Sequence, residues 1–461
     1  MKRLLLVFLL PTLLHAATAE PPKELRTAEE MIRDGLGRDA VTRLRTWLQK
    51  NNGSQPYAQL LLAEALLADR RPEAALGELP KNPPIDLDTR TRFTRASALN
   101  ELGRWKEATP IWKELKTKGN GEDLSGKASL GLATALLNQN ETTAGCAELR
   151  ELVADAKHPQ SHSARLLLIK TLLAEGKLDE ADKELSLFSD DAPPPVKAEA
   201  RFWAAEIASN RGKSDEAREM FRKIIDNKDG ASSDLIARVW MALGKIDRSR
   251  NKPADAANSL EKALDQNSDS ETFLAAAREY LAAAQASQSL PTAALKLRDA
   301  VRDREEENDK RGHYASALLL LGSATLAAGN AEAAAADLDQ LLRTYPSSPS
   351  IPSARLLLAQ ALIKQGQENA AREQIKTLLQ NPKLDAAIFY QAQATQAELL
   401  LKEGKASEAS AAWDSAYRTA TDPKMAEEAL YNSAITASRG SDTSTFLRLE
   451  QEFSQRFPDS P

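Results

Sequence analysis

The chain has 461 residues, of which 42% are hydrophobic, 5% are aromatic and 28% are charged. This mixture suits many exposed helices around a thin core of small side chains. The formal net charge is −5, and a mildly acidic protein is a poor candidate for binding nucleic acid, which needs clustered Lys and Arg. The single cysteine, Cys146, excludes an internal disulfide.

The first 19 residues have the pattern of a secretory signal peptide. Lys2 and Arg3 form a basic region, an apolar stretch follows over residues 4–14, and Ala17-Thr18-Ala19 provides an A-x-A cleavage site. The apolar stretch is too short to span a bilayer, and no cysteine lies near the site to carry a lipid. We therefore expect cleavage after Ala19 and a periplasmic or secreted protein with no stable membrane anchor. Loss of Lys2 and Arg3 changes the net charge from −5 to −7.

From residue 20 onwards, one pattern recurs at intervals of 33 to 40 residues. An amphipathic helix A leads into a turn, and an amphipathic helix B follows it. A small residue stands five places after the turn residue, and a bulky residue usually stands four places later. The turn residues are Gly35, Arg70, Gly103, Asn140, Gly176, Gly212, Asn251, Ser289, Gly329, Gly366, Gly404 and Gly440. The small residues are Ala40, Ala75, Ala108, Gly145, Ala181, Ala217, Ala256, Ala294, Ala334, Ala371 and Ala409. The bulky residues are Leu44, Leu79, Trp112, Leu149, Leu185, Phe221, Leu260, Leu338, Ile375, Trp413 and Leu449.

This pattern resembles the tetratricopeptide repeat, W-x2-L-G-x2-Y, then A-x3-F, then P, over roughly residues 24–457. The best single match begins with Trp240, Leu243 and Gly244. The resemblance implies an all-α fold, a right-handed α-solenoid of about twelve helix-turn-helix repeats. Because one repeat cannot bury its apolar face alone, it must stack on its neighbours.

A narrower resemblance rests on the linker Tyr345-Pro346-Ser347-Ser348-Pro349. It is similar to a (Y/F)-P-x-S-P linker in exported bacterial repeat proteins, namely the Tol-Pal-associated cell-division coordinator and the outer-membrane assembly lipoproteins. The resemblance implies a cell-envelope setting and protein partners. The outer-membrane assembly proteins carry a lipid-anchor cysteine and about five repeats, whereas this chain lacks such a cysteine and has about twelve.

The repeats divide into residues 20–302 and 313–461, with a charged linker or hinge at 303–312 between them. The run from Asp303 to Arg311 is typical of a solvated helix end or loop. In the unit before it, Arg298 replaces the bulky apolar residue of helix B. At the chain end, Glu452 stands where earlier units have an apolar residue that packs on the next repeat. Since a capping repeat needs a polar outer face, we expect the solenoid to end here and the protein to be a monomer; the rival reading is a partner or missing repeat that covers this face.

No combination of residues predicts catalysis, so we expect the protein not to be an enzyme. There is no G-x-S-x-G, no H-E-x-x-H and no Gly-rich phosphate loop. His158 and His162 are four residues apart, but Pro159 places the first in a linker and no third ligand is evident, so we expect no metal and no cofactor. Cys146 stands among the small residues of a helix B, which predicts a core residue rather than a reactive thiol.

The remaining candidate surface is the concave face, which helices A line in this architecture. The carboxylate clamp of the family is not expected, because Leu167 and Trp203 stand at the positions of its asparagine. We predict a non-catalytic scaffold that binds protein or peptide partners along this face. The alternative is a glycan-binding accessory subunit of an envelope enzyme, suggested by Trp and Phe on helices A. The candidate contact residues are Arg90, Phe93, Lys170, Phe202, Glu206, Asn210, Lys245, Arg248, Gln360 and Lys364.

Overall fold

The computed structural model describes residues 21–51, 55–118, 122–188, 192–303, 314–458 and 460. Across these residues every regular element is an α-helix, 24 in all, and they alternate as helix A and helix B of twelve hairpins. The prediction of an all-α solenoid of about twelve helical hairpins is thus confirmed. The predicted signal peptide and all of the predicted hinge except Asp303 lie outside the described residues.

Helices A carry the odd numbers and helices B the even numbers. The helices A are α1 Lys23–Arg33, α3 Pro56–Ala68, α5 Ile85–Glu101, α7 Glu122–Asn138, α9 Ser161–Ala174, α11 Pro194–Asn210, α13 Ser233–Ser249, α15 Ser270–Ala286, α17 Tyr314–Ala327, α19 Ile351–Lys364, α21 Ala386–Lys402 and α23 Pro423–Arg439. The helices B are α2 Gly37–Lys50, α4 Pro72–Glu78, α6 Trp105–Lys118, α8 Thr142–Ala154, α10 Leu178–Leu185, α12 Ser214–Asp226, α14 Pro253–Leu264, α16 Leu290–Arg302, α18 Ala331–Thr344, α20 Glu368–Leu379, α22 Ala406–Thr419 and α24 Thr443–Arg456.

Every described helix A ends in the same backbone motif. One residue adopts a positive φ, and the N–H of the next residue donates to the carbonyl five residues back, which is the Schellman motif. At Gly329, for example, φ is +91° and the Asn330 N–H donates to the Thr325 carbonyl at 3.0 Å. This motif satisfies carbonyls at the helix end that would otherwise lack a partner, and it turns the chain into helix B.

Ten of the twelve predicted turn residues hold this left-handed position. The exceptions are Ser289 and Gly440, because Gln288 and Ser441 adopt the positive φ instead. The backbone hydrogen bond explains the shift of one residue. The donors are the N–H groups of Ser289 and Asp442, which reach the carbonyls five residues back at 2.8 and 3.1 Å. The left-handed residue must immediately precede the donor.

The small and bulky residues of helix B form the core, as predicted. All eleven small positions are buried, and so are ten of the eleven bulky ones. Leu185 is half-buried and ends α10, which has only 8 residues. Close approach of A to B depends on Gly322, where an added Cβ would lie 2.7 Å from Cγ of Leu338.

Arg298, the predicted departure from the pattern, is matched by a compensating residue. Its guanidinium donates two hydrogen bonds of 2.7 Å to the carboxylate of Asp337, which lies on α18 of the next hairpin and is 5% exposed. Burial raises the pKa of Asp337, while the hydrogen bonds and charge of Arg298 oppose that rise. An ion pair therefore takes the place of an apolar contact between these two helices B.

By its internal contacts the chain divides into two compact units, Met1–Ala242 and Leu243–Pro461. Each unit is a stack of helical hairpins in which consecutive helices pack on one another and several neighbouring helices A also touch. Of the helices described, none combines the length and the apolar character that a transmembrane span requires.

Candidate functional site

One position of helix A forms a row along each unit. It lies six residues before the left-handed turn residue, so equivalent residues occupy the same position on successive helices A, several of which touch their neighbours. We term this set the A-face row. In the first unit it consists of Glu29, Glu64, Ser97, Thr134, Lys170 and Glu206. In the second unit it consists of Lys245, Ala282, Ser323, Gln360, Glu398 and Ile435.

At the start of the first unit, the first two side chains of the A-face row are paired in a buried ion-pair cluster. Arg90 on α5 donates to both oxygens of Glu64 on α3 at 2.6 Å each, and its third nitrogen lies 2.8 Å from a carboxylate oxygen of Glu29 on α1. Tyr57 donates to the other oxygen of Glu29 at 2.9 Å, and Thr94 donates to Glu64 at 3.4 Å. These contacts fasten three successive helices A together.

The electrostatics of this cluster follow from its burial. Glu64 has no solvent exposure, and burial raises its pKa while the charge of Arg90 opposes the rise. Burial would lower the pKa of Arg90, but the two carboxylates outweigh this and hold its pKa above the usual value. Both groups remain paired, so the cluster cross-links the helices rather than presenting charges to solvent.

Three of the ten predicted contact residues are corrected by this geometry. Arg90 is 4% exposed, Phe93 is fully buried and Phe202 is 5% exposed, so none of the three side chains is accessible to a partner. Phe93 and Phe202 lie ten residues before their turn residues, a position that faces the hairpin's own helix B. Phe93 packs edge-on against Trp112 at 5.1 Å, and Phe202 packs against Phe221 at 5.6 Å.

The other predicted residues remain at least partly exposed. Lys170 and Glu206 are half-buried members of the A-face row, and each has an interaction partner. Asn210 donates to the Glu206 carbonyl at 2.8 Å, and Arg248 pairs with Glu279. Lys245 is exposed. Whether any of them contacts a partner stays a prediction.

The last two predicted residues, Gln360 and Lys364, lie together in a groove. It has a volume of about 600 Å³ and is formed by three successive helices A, α17, α19 and α21. Its apolar floor consists of Leu326, Leu357, Ile363, Tyr390 and Ala394. Its polar rim consists of Ser323, Gln360, Lys364, Gln391 and Glu398. The hydroxyl of Tyr390 donates to the Met425 carbonyl at 3.1 Å, which fixes the ring in the floor.

The rim differs from Glu29 and Glu64 in the first unit, because its side chains are paired with no residue that the structure describes and can contact a ligand. Within the described residues, the side chains of Gln360, Gln391, Lys364 and Glu398 make no hydrogen bond or ion pair with the protein. A groove of about 600 Å³ with an apolar floor and a few polar groups around it has the usual composition of a binding site. The groove therefore offers a ligand apolar contact, two carboxamides and one charge of each sign. These groups can bind a ligand, but they form no catalytic combination.

Gln360 and Lys364 were predicted from the sequence, whereas Glu398 and Ser323 were not. The spacing to the turn residue could have identified both, since Ser323, Gln360 and Glu398 all lie six residues before theirs. Tyr390 and Gln391 were also not predicted. They lie two turns before Glu398 on α21, which at 17 residues is longer than α17 and α19.

His158, His162 and Cys146 occupy structural positions. His162 stacks on Phe188 at 5.9 Å, and the ring of His158 accepts from the Gln160 N–H at 3.1 Å. In the part of the chain that the structure describes, no three His, Cys, Asp or Glu side chains are grouped to hold a metal. Cys146 is 4% exposed, as predicted for a core residue, and burial raises the pKa of its thiol.

The comparisons with known proteins agree with the repeat architecture. Residues 97–239 match a tetratricopeptide repeat-like domain, and residues 281–349 and 319–386 match a tetratricopeptide repeat. Each unit therefore contains a stretch that matches a tetratricopeptide repeat or repeat-like model, and the match at residues 319–386 includes most of α17 and all of α19. No curated protein matches the chain. One similar solved structure is the APC/C hetero-tetramer Cut9–Hcn1, with 13% identity, coverage of 95% of this chain and 88% of that chain, and a TM-score of 0.34, too low to support an argument.

Proposed function

We propose that this tetratricopeptide repeat chain is a non-catalytic scaffold of the bacterial cell envelope that binds segments of partner proteins. The groove of α17, α19 and α21 is its principal docking point. The observation that carries the proposal is that a groove of about 600 Å³ has an apolar floor and a polar rim whose side chains have no partner among the described residues. Repeats of this type stack to create extended binding surfaces, and this groove is a part of such a surface where the rim side chains are available.

The envelope location rests on the N-terminal pattern. Lys2 and Arg3, the apolar stretch and the A-x-A site together are the signature of an exported chain. N-terminal sequencing of the protein from a periplasmic fraction tests this, with Glu20 expected as the first residue. An intact Met1 in a cytoplasmic fraction would contradict export without affecting the groove.

The glycan-binding alternative has little structural support. Stacking on a sugar needs an accessible aromatic face, but Phe202 is 5% exposed. Its neighbour Trp203 is only partly exposed, and the Arg238 guanidinium lies 5.3 Å from its ring. Calorimetry with cell-wall fragments decides this alternative, and saturable heat that is lost in Trp203→Ala would restore it.

The docking function is tested by crosslinking in intact cells. A photoreactive amino acid is placed at Gln360 in the groove or, as a matched control, at the exposed Gln340 on helix B of the preceding hairpin. We expect a discrete crosslinked partner from position 360 only. Filling the floor with Ala394→Trp should abolish that product while leaving the helical content unchanged. Equal products from both positions, or a product that survives Ala394→Trp, would overturn the groove as the docking point.

A further inference from the structure

Lys364 and Glu398 place opposite charges on neighbouring helices of the groove. Lys364 is the last residue of α19, two residues before Gly366, and Glu398 lies on α21, six residues before Gly404. Both side chains are exposed, and neither has an ion-pair partner among the described residues. Each charge is therefore available to a ligand that enters the groove.

An equivalent lysine one hairpin further on behaves differently. Lys402 also lies two residues before its turn residue, and its ammonium group lies 2.8 Å from the carboxylate of Glu368. An exposed ion pair of this kind forms readily where the geometry permits, although it contributes little stability. Lys364 lacks such a partner because Ala331 stands at the position equivalent to Glu368, two residues after the turn residue.

Helix geometry gives the separation of Lys364 from Glu398. Their positions differ by four residues relative to the turn, which is roughly 6 Å along the helix axis at 1.5 Å per residue. Neighbouring packed helices lie about 8–10 Å apart. The two attachment points are therefore roughly 10–12 Å apart. An extended chain rises about 3.3 Å per residue, so it covers this distance in three to four residues.

Building on the proposed function, we propose that the groove selects a short extended segment that has an acidic and a basic side chain three or four residues apart, with apolar side chains between them. The acidic group pairs with Lys364 and the basic group with Glu398. The intervening side chains lie on the floor of Leu326, Leu357 and Ile363. A groove of about 600 Å³ fits a short segment rather than a folded domain. The carboxamides of Gln360 and Gln391 both donate and accept hydrogen bonds, which suits an exposed peptide backbone.

The arrangement also specifies what the groove excludes. A segment with two acidic groups meets repulsion at Glu398, and one with two basic groups meets repulsion at Lys364. Selectivity then arises from mismatched charge as much as from the matched pair. Each rim pair is solvent-exposed, so it changes affinity by about two- to five-fold.

The test uses four capped, dye-labelled peptides and the full mature chain. The peptides contain Glu-Leu-Leu-Lys, Lys-Leu-Leu-Glu, Glu-Leu-Leu-Glu or Lys-Leu-Leu-Lys, each acetylated and amidated, and binding is followed by fluorescence anisotropy. We expect at least one mixed peptide to bind about three- to ten-fold more tightly than either like-charged peptide. This preference should weaken with added salt, because exposed charges are screened.

Charge reversal makes the test specific. Lys364→Glu should transfer the preference to the doubly basic peptide, and Glu398→Lys should transfer it to the doubly acidic one. The double variant Lys364→Glu/Glu398→Lys should favour mixed peptides again. All three changes replace exposed side chains, so the fold is expected to tolerate them.

The outcomes separate the two proposals. If all four peptides bind equally and Ala394→Trp or Gln391→Trp abolishes binding, the charge selection is wrong and the groove function stands. If the preference ignores the reversals, the assignment to Lys364 and Glu398 is wrong. If none of the peptides binds at millimolar concentration, both the proposed charge selection and the proposed peptide docking in this groove are wrong.

Discussion

Arg90 and Glu64 form a bidentate ion pair with two 2.6 Å hydrogen bonds, and the Glu64 side chain has no solvent exposure. Arg90 also reaches Glu29, so one guanidinium joins helices A of the first three hairpins. A buried charge is costly when its partner is removed, because the remaining charge is left unpaired away from water.

The first prediction concerns this pair. Arg90→Ala should lower the free energy of unfolding of the first unit by about 3–5 kcal/mol, since Glu64 loses its partner. The replacement of both charges in Glu64→Leu/Arg90→Met should recover most of that loss. Chemical denaturation together with hydrogen exchange of α3 and α5 measures both effects.

Arg150→Ala is the matched control, because Arg150 and Glu180 are both about half exposed and their pair should contribute at most about 1 kcal/mol. Equal losses for Arg90→Ala and Arg150→Ala would contradict the assigned role of the buried pair.

The second prediction concerns Tyr57. Burial, followed by the charge and hydrogen bond of Glu29, raises the pKa of Tyr57 to about 12. The folded protein thus favours the neutral phenol. That contribution to stability should be fully present below about pH 10, the ordinary pKa of tyrosine, and should be lost as the pH rises through about 12. The difference in tyrosinate absorbance between the wild type and Tyr57→Phe gives the titration. Glu29→Gln should lower the midpoint, and an unchanged midpoint would show that Glu29 has no part in the shift.

The third prediction compares two glycines. In Gly322→Ala the new Cβ would lie 2.7 Å from Cγ of Leu338 in the core, so we expect a loss of about 1–3 kcal/mol from overpacking. Gly77 lies within α4 with nothing within 4 Å of an added Cβ, so Gly77→Ala should stabilise by about 0.5–1 kcal/mol. Thermal unfolding of the two variants decides the sign, and the same direction of change in both would refute the packing argument.

The fourth prediction concerns the left-handed turn residues. Gln288 has a φ of +59°, a conformation that costs an ordinary L-residue about 1–2 kcal/mol. Gln288→Gly should therefore stabilise the second unit by about 0.5–1 kcal/mol after the greater flexibility of glycine in the unfolded chain is subtracted. Asn140 has a similar φ of +64°, but asparagine tolerates this region, so Asn140→Gly should change stability much less. Denaturation midpoints test the difference, and a larger gain at Asn140 would contradict it.

The fold was accessible from the sequence because its signals are local. Helix B packs on its own helix A through residues such as Ala334 and Leu338, which stand at fixed distances from one turn. The spacing therefore predicts both hairpin and core. The two turns that were misplaced by one residue, at Gln288 and Ser441, involve ordinary side chains in a conformation that glycine usually adopts. There the backbone hydrogen bond, rather than the residue type, sets the position.

The site was only partly accessible because it depends on pairs from different repeats. Arg90 was predicted to face a partner. Its ion-pair partner Glu64 lies 26 residues from it in the sequence, and no local pattern predicts their contact. Phe202 was placed on the surface, although its position ten residues before the turn faces helix B and Phe221. In contrast, Gln360 and Lys364 were found because their helix-A positions lie over the groove that neighbouring helices form.

The bond between Arg298 and Asp337 makes its two hairpins non-interchangeable. Repeat chains become longer or shorter when whole hairpins are duplicated or deleted. A purely apolar junction can form again with a different neighbour, because one leucine substitutes for another. Loss of the hairpin that carries Arg298 would leave the Asp337 carboxylate, 5% exposed, without its counter-ion. This junction therefore fixes the order of neighbours, and copies or deletions of a hairpin should be tolerated elsewhere in the second unit before they are tolerated here.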